Sequence, residues 1–322
     1  MFRQVMTALL LATSSFAPAA FAQGAYPNKP IRMIVPYAAG GPTDVLARVM
    51  AQKLGDSLGH NVIVDNKPGA NGIPGTDAIA KAPPDGYTIG LSTIGPLAVN
   101  PSLFPNIPYD TLKDFAPVVL LARSYTLLAV HPSVPANNMK ELIALLKANP
   151  GKYTYATGGV GTTQHLSGEL LSNVAGIKML HVPYKGEGAA QTDLLGGQVH
   201  MMFTSTLIGY NNVKAGKLRA IAVTSGQRLA SMPEVPTIAE TFPGFEVTAW
   251  YGMVAPAGTP EPVVRKLNDS LQAVLKNPEV IKKLEDLGAT AGGGPPSDLT
   301  ALLRTELPKW REVIRKADIK PE

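Results

Sequence analysis

The chain has 322 residues, 45% hydrophobic and 6% aromatic, enough apolar content for the cores of about two ordinary domains and too much for a disordered chain. It contains no cysteine, which excludes disulfides and a lipid-carrying N-terminal cysteine. The formal charge is +5 with Lys and Arg scattered rather than clustered, so a nucleic-acid partner is not expected.

A basic start at Arg3, an apolar stretch from Ala8 to Ala12 and the small-x-small ending Ala20-Phe21-Ala22 read as a secretory signal, residues 1–22, cut after Ala22. No later stretch reaches the roughly 18 apolar residues of a membrane span. The mature chain is therefore expected to be soluble and periplasmic. Strand candidates follow at Ile31 to Pro36, Val62 to Asp65, Tyr87 to Leu91, Val118 to Val130, Tyr153 to Ala156, Met179 to Val182, His200 to Thr204 and Leu218 to Val223. Between them lie amphipathic segments. Val45, Leu46, Val49, Met50, Leu54 and Leu58 share one helical face, and Asn138 can cap a helix ending near Lys147. The β-α-β-α order predicts an α/β fold with mostly parallel sheets. Val118 to Val130 is long enough to cross between two lobes, and Phe245 to Val254 can return. The expected division is 23–124 with 246–322 as lobe one and 125–245 as lobe two.

Two glycine corners stand out. "IVPYAAGGPTDVLAR" runs from a strand through Gly40 and Gly41 to Thr43 and Asp44, which can cap exposed amides at the start of a helix. "YATGGVGTTQHLSGELL" repeats the device with Gly158, Gly159, Gly161, Thr162 and Thr163. A helix start offers unpaired N–H groups and partial positive charge, so such a corner can hold a carboxylate or phosphate without a cationic side chain. A third loop places Tyr184, Lys185 and Gly186 after a strand. Ser92-Thr93-Ile94-Gly95 and Ser205-Thr206-Leu207-Ile208-Gly209 each bring hydroxyls to a strand end, where ligands of open α/β sheets bind.

Other chemistries lack their patterns. "GGVGTTQ" misses the final glycine of a dinucleotide fingerprint and "KAGKL" is not a P-loop; no cofactor is expected. "GLSTIG" is not a nucleophile elbow, because its second glycine falls one residue late. His165 and Glu169 suit a surface pair better than metal ligation, and no metal site is expected from the remaining histidines. "NKPGANG", Asn66 to Gly72, reads as a loop before a helix that equally well touches a ligand; Trp250 reads as hinge packing.

Taken as a set, "YPNKPIRMIVPYAAGGPTDVLAR", "VDNKPGANG", "PPDGYTIGLST", "PYDTLKDFAPV", "HVPYKG", "DLLGGQV", "GKLRAIAVTS", "MPEVPTIAE" and "APAGTP", spread between Tyr26 and Pro260, resemble the Bug family, the periplasmic solute receptors of tripartite tricarboxylate transporters. The resemblance implies a type II periplasmic binding protein: two α/β lobes, two hinge crossings and a cleft closing on a small carboxylate held largely by backbone amides. It implies ligand contacts from Tyr37, Ala38, Ala39, Gly40, Gly41 and Thr43 in lobe one, with Ser92 at its strand end. From lobe two it implies Thr157, Gly158, Gly161, Thr162, Thr163, Tyr184 and Thr204 or Ser205. Where relatives often carry a serine-rich stretch, this chain reads Thr157-Gly158-Gly159. The implied partners are a small organic acid (a di- or tricarboxylate, an aromatic acid or an amino acid) and the membrane permease subunits, with the receptor acting as a monomer and not an enzyme. The alternatives are an exported hydrolase using Ser92 or Ser205, and a sensor that presents its ligand to a membrane kinase.

Overall fold

The computed structural model describes residues 26–184 and 186–321. The expected signal peptide lies outside them, as does Lys185. In chain order the first elements are β1 (Ile31–Val35), α1 (Pro42–Leu58), β2 (Val62–Asn66), α2 (Ile73–Ala80), β3 (Thr88–Thr93), α3 (Asn100–Leu103) and β4 (Phe115–Ser124). Next come β5 (Thr126–Val130), α4 (Met139–Ala148), β6 (Thr154–Thr157), α5 (Thr163–Ala175), β7 (Leu180–Pro183), α6 (Glu187–Leu195), β8 (Met201–Ser205), α7 (Thr206–Lys214) and β9 (Arg219–Val223). The chain ends with β10 (Ala249–Pro256), α8 (Glu261–Leu275), α9 (Pro278–Asp286), β11 (Ala289–Gly293) and α10 (Pro296–Lys316).

These strands form two sheets, ordered β11-β4-β10-β3-β1-β2 and β7-β6-β8-β5-β9. Local chemistry accounts for the elements. In β1 every residue but Arg32 is buried, as suits a strand covered on both faces. Helix α1 opens with Pro42 in its first turn and stops at Gly59, whose left-handed backbone (φ 72°) lets its N–H bond back to Gly55. Its inner face, Leu46, Met50 and Leu54, is sealed from solvent, each side chain gaining roughly 1.5–3 kcal/mol from burial.

The sheets are mixed, not mostly parallel. Pairs β1·β2, β1·β3, β6·β7 and β6·β8 are parallel, whereas β10 runs antiparallel to β3 and β4, β11 to β4, and β5 to β8 and β9. The cause is the pair of crossings: strands that carry the chain from one sheet to the other enter against the direction of the β-α-β units. The crossings are tied side by side. Thr126 N–H donates to Thr224 Oγ1 at 3.0 Å, and Thr224 N–H returns a bond to the Thr126 carbonyl at 3.0 Å. Val247 N–H then donates to the Thr224 carbonyl, also at 3.0 Å.

Both sheets carry helices on both faces. One cluster, with Met33, Met50, Leu54, Leu267 and Leu271, sits under α1 and α8. A second, with Ala190, Leu194 and Met202, sits under α6. The third runs continuously through the hinge, linking Ile34, Leu128, Tyr155, Phe203, Trp250 and Trp310. Edge strand β11, "ATAGG", is packed tightly enough that a Cβ on Gly292 would lie 2.3 Å from the Leu120 carbonyl oxygen.

Candidate functional site

The carboxyl ends of β1, β3 and β6 and the start of β10 meet at one place between the sheets, where ligands of open α/β folds bind. The β1–α1 corner is built around Asp44. Its carboxylate, 2% exposed, accepts from Gly40 N–H at 2.9 Å, Arg48 Nε at 2.9 Å and Asn66 Nδ2 at 3.0 Å. Asn66 also donates to the Tyr37 carbonyl at 3.0 Å. The Arg48 hydrogen bond does most to hold the Asp44 carboxyl down at about 2, and it neutralises a charge that would otherwise repel an anion at the corner. Gly40 adopts φ 84°, a conformation other residues enter at a cost of roughly 1–2 kcal/mol. Gly41 is ordinary extended backbone. The Thr43 and Asp44 amides in the first turn of α1 have no partner among the described residues.

The β6–α5 corner is held by neutral groups. Gln164 Oε1 accepts from Gly158 N–H at 2.6 Å and His165 Nδ1 accepts from Gly161 N–H at 3.1 Å. An amide can only donate, so His165 presents Nδ1 as a bare acceptor. Thr162 caps α5, accepting from His165 N–H at 3.3 Å while donating to the Gly159 carbonyl at 2.7 Å. Thr157 Oγ1 lies 2.7 Å from His181 Nε2. The imidazoles of His165 and His181 stack at 4.0 Å, with the Tyr155 ring 4.9 Å from His181 and 6.5 Å from His165. Burial drives both imidazoles down, His165 to about 3 with help from His181, and His181 to about 4. Tyr155 Oη donates to Glu169, whose carboxyl is raised by burial. The Thr163 and Gln164 amides have no partner among the described residues.

A cavity of about 240 Å³ lies between the corners. Tyr37 and Thr43 line it from the first corner, and Gly161, Thr162 and Thr163 from the second. Asn71, Thr93, Ile94, Gly95 and Ala249 to Tyr251 complete the wall, with no charged side chain. Tyr37 Oη and Thr93 Oγ1 are 2.6 Å apart. A larger hollow of about 550 Å³ runs along β9, but neither corner reaches it.

The family model described as tripartite tricarboxylate transporter family receptor matches residues 46–319. The chain belongs to this receptor family. Among solved structures, periplasmic binding protein BugD is 40% identical, with a TM-score of 0.74 over 92% of this chain and 100% of that one. Rpa4515 of R. palustris, solved with adipate, is 35% identical with a TM-score of 0.77 over 92% and 100%. MatC (Rpa3494) of Rhodopseudomonas palustris, solved with malate, is 32% identical with a TM-score of 0.74 over 90% and 100%.

In this family member the structure brings Tyr37, Thr43, Gly161, Thr162 and Thr163 to one cavity. Ala38, Ala39, Gly40 and Gly41 form the rim of the first corner. Gly158 sits behind the second, its amide spent on Gln164. Five residues expected at the site lie elsewhere. Ser92 is sealed from solvent on the opposite face of β3 from Thr93, which takes its place in the wall. Thr157 is buried beneath the corner and holds His181. Tyr184 Oη donates to Asp193 at 2.6 Å, the bond that chiefly pushes its phenol up to about 12. Thr204 is sealed, its hydroxyl 2.9 Å from both Glu187 Oε1 and Gln191 Oε1, while Ser205 N–H donates to Glu187 at 2.6 Å. A carboxylate of the chain itself therefore accepts the N–H of Ser205, the residue at the N-cap of α7.

His165 and Glu169 form a buried network with Tyr155 and His181, in place of the expected surface pair. Asn71, Thr93, Ile94, Gly95, Ala249, Trp250 and Tyr251 are the wall residues not named as ligand contacts from the sequence, although the first four lie in stretches it marked as able to reach a ligand. The "PGANG" loop carried the signal for the first: Gly69, Ala70, Asn71 and Gly72 all have positive φ (118°, 38°, 53° and 84°), a run that costs roughly 1 kcal/mol or more at Ala70 alone.

Proposed function

We propose that this chain is a periplasmic solute-binding protein that captures a small organic carboxylate in the cleft and delivers it to the membrane permease of a tripartite tricarboxylate transporter. In this reading it is exported, with cleavage near Ala22, acts as a monomer and catalyses no reaction. Residues 23–124 and 246–322 form one lobe and 125–245 the other.

One observation carries the reading: two helix starts, each with two unpartnered amides, border one uncharged cavity, Thr43 lining it from α1 and Thr163 from α5. Amide bonds to a charged group are worth about 1.5–3 kcal/mol each, so the Thr43, Asp44, Thr163 and Gln164 amides together supply roughly 6–12 kcal/mol gross. Micromolar binding needs about 8 kcal/mol. Relatives solved with adipate and malate support an acid as the ligand. Lobe closure removes water and strengthens each bond.

The hydrolase alternative lacks an activated nucleophile: the Ser92 and Ser205 Oγ atoms are buried without a hydrogen-bond partner among the described residues. A sensor role uses the same cleft and differs only in the membrane partner, which co-purification distinguishes. A thermal-shift screen over di- and tricarboxylates, aromatic acids and amino acids tests the binding reading. A matching acid at 100 times its Kd adds about 2.7 kcal/mol of stability; no shift with any acid overturns the proposal.

A further inference from the structure

The cleft wall contains one side chain whose orientation is fixed and whose acceptor is left over. Asn100, sealed from solvent, donates from Nδ2 to the backbone carbonyl of Asn71 at 3.0 Å. A carbonyl only accepts, so the nitrogen of Asn100 must be on that side, and its Oδ1 must face Asn71. Asn71 answers with Nδ2 at 2.8 Å. Both amides are thereby fixed in one orientation. Asn71 is left with a carbonyl Oδ1 that has no partner among the described residues.

Asn71 also stands at the point where the lobes approach each other. It lines the cavity together with Thr43 and Thr163, and a Cβ placed on Gly161 across the cleft would lie 3.8 Å from Asn71 Nδ2. Its left-handed backbone (φ 53°) and that of Ala70 (φ 38°) hold it there. The corners supply donors, which suit a carboxylate. Asn71 supplies an acceptor, which a carboxylate cannot satisfy.

We propose that Asn71 is a specificity-determining residue, and that its free Oδ1 selects acids bearing a hydrogen-bond donor beside the carboxylate, a 2-hydroxy or 2-amino group. This inference rests on the carboxylate-binding reading. When the cleft closes on an acid lacking that group, the Asn71 acceptor loses water and gains nothing, and an unmet buried acceptor discriminates more strongly than a lost contact.

The test is calorimetry with matched pairs, malate against succinate and mandelate against phenylacetate, on the mature protein and on Asn71→Gly. Glycine tolerates the left-handed backbone, so the substitution removes the amide while keeping the loop. The hydroxylated member of the binding pair is expected to bind about tenfold or more tightly than its partner in the wild type. In Asn71→Gly the ratio falls to within about threefold, mainly through loss of affinity for the hydroxy acid. Equal binding of both members by the wild type, or a preference that survives in Asn71→Gly, overturns the inference while leaving the carboxylate reading intact. Binding of none of the four acids overturns the inference as well, and the broader acid screen then decides whether the carboxylate reading falls with it.

Discussion

The two corners perform one backbone task with different chemistry. At the β1–α1 corner the glycine amide is caught by an ionised carboxylate, Asp44, which Arg48 and Asn66 hold in turn. At the β6–α5 corner the glycine amides are caught by neutral acceptors, the Gln164 amide and the His165 imidazole. In both, a side chain from the first turn of the helix reaches back to the glycines and leaves the amides at the helix start open. A glycine corner thus takes its shape chiefly from the side chains that restrain it, and the two restraints are expected to respond differently to mutation and to acid.

Breaking the charged restraint is expected to have the largest effect. Asp44→Ala frees Gly40 N–H and strands Asn66 and Arg48; denaturant unfolding should show a loss of about 2–4 kcal/mol, tempered because Arg48 reaches solvent. Breaking the neutral restraint comes next. His165→Leu leaves the buried Gly161 N–H without an acceptor and should cost about 1–3 kcal/mol. His165→Asn, whose Oδ1 can take the place of Nδ1, should recover more than half. Equal losses in the two variants would show that the imidazole serves only as packing.

Acid should separate the corners. His165 and His181 titrate at about 3 and about 4 in the fold against 6.5 ordinarily. The unfolded chain therefore takes up protons first, and their contribution is complete above about pH 6.5 and declines as pH falls toward 4 and then 3. Asp44, at about 2 against 3.8, keeps its contribution until the pH drops below about 4. Unfolding free energy measured from pH 7 to 4.5 should fall in the wild type and fall less in His165→Asn. A slope unchanged by that substitution would remove His165 from the account. The smallest effects concern the glycines themselves: Gly40→Ala, at φ 84°, should cost roughly 1–2 kcal/mol. Gly41→Ala, extended and with only the Ala38 carbonyl at 3.7 Å, should change the thermal midpoint very little.

Much of the fold was legible because its strands are short apolar runs set off by turns. Each strand candidate overlaps a strand of the structure, and Asn138 caps α4 through its bond to Glu141 N–H at 3.0 Å. The break at Tyr125 is marked only by Arg123-Ser124 and Thr126 between the apolar runs Val118 to Ala122 and Leu127 to Val130, a polar insert short enough to read as part of one strand. Strand β11 was hidden because "ATAGG" has almost no β-forming side chains; small residues are what its close approach to β4 demands. At the site, both corners were readable from glycine followed by a helix start. The choice of Thr93 over Ser92 was not, since β3 is buried on both faces and alternation of polarity cannot mark the cleft side. Asn71 escaped because its orientation depends on a partner, Asn100, distant in sequence, and Glu187 escaped because an acid opening one helix gives no sign that it will reach the end of another.

With Glu187 bonded to the Ser205 N–H at the head of α7, the helix heads that border the cavity are those of α1 and α5, through Thr43 and Thr163. One open helix head on each side of the cavity means that closure and the capture of negative charge draw on both sheets at once, so neither half alone can hold what the pair can.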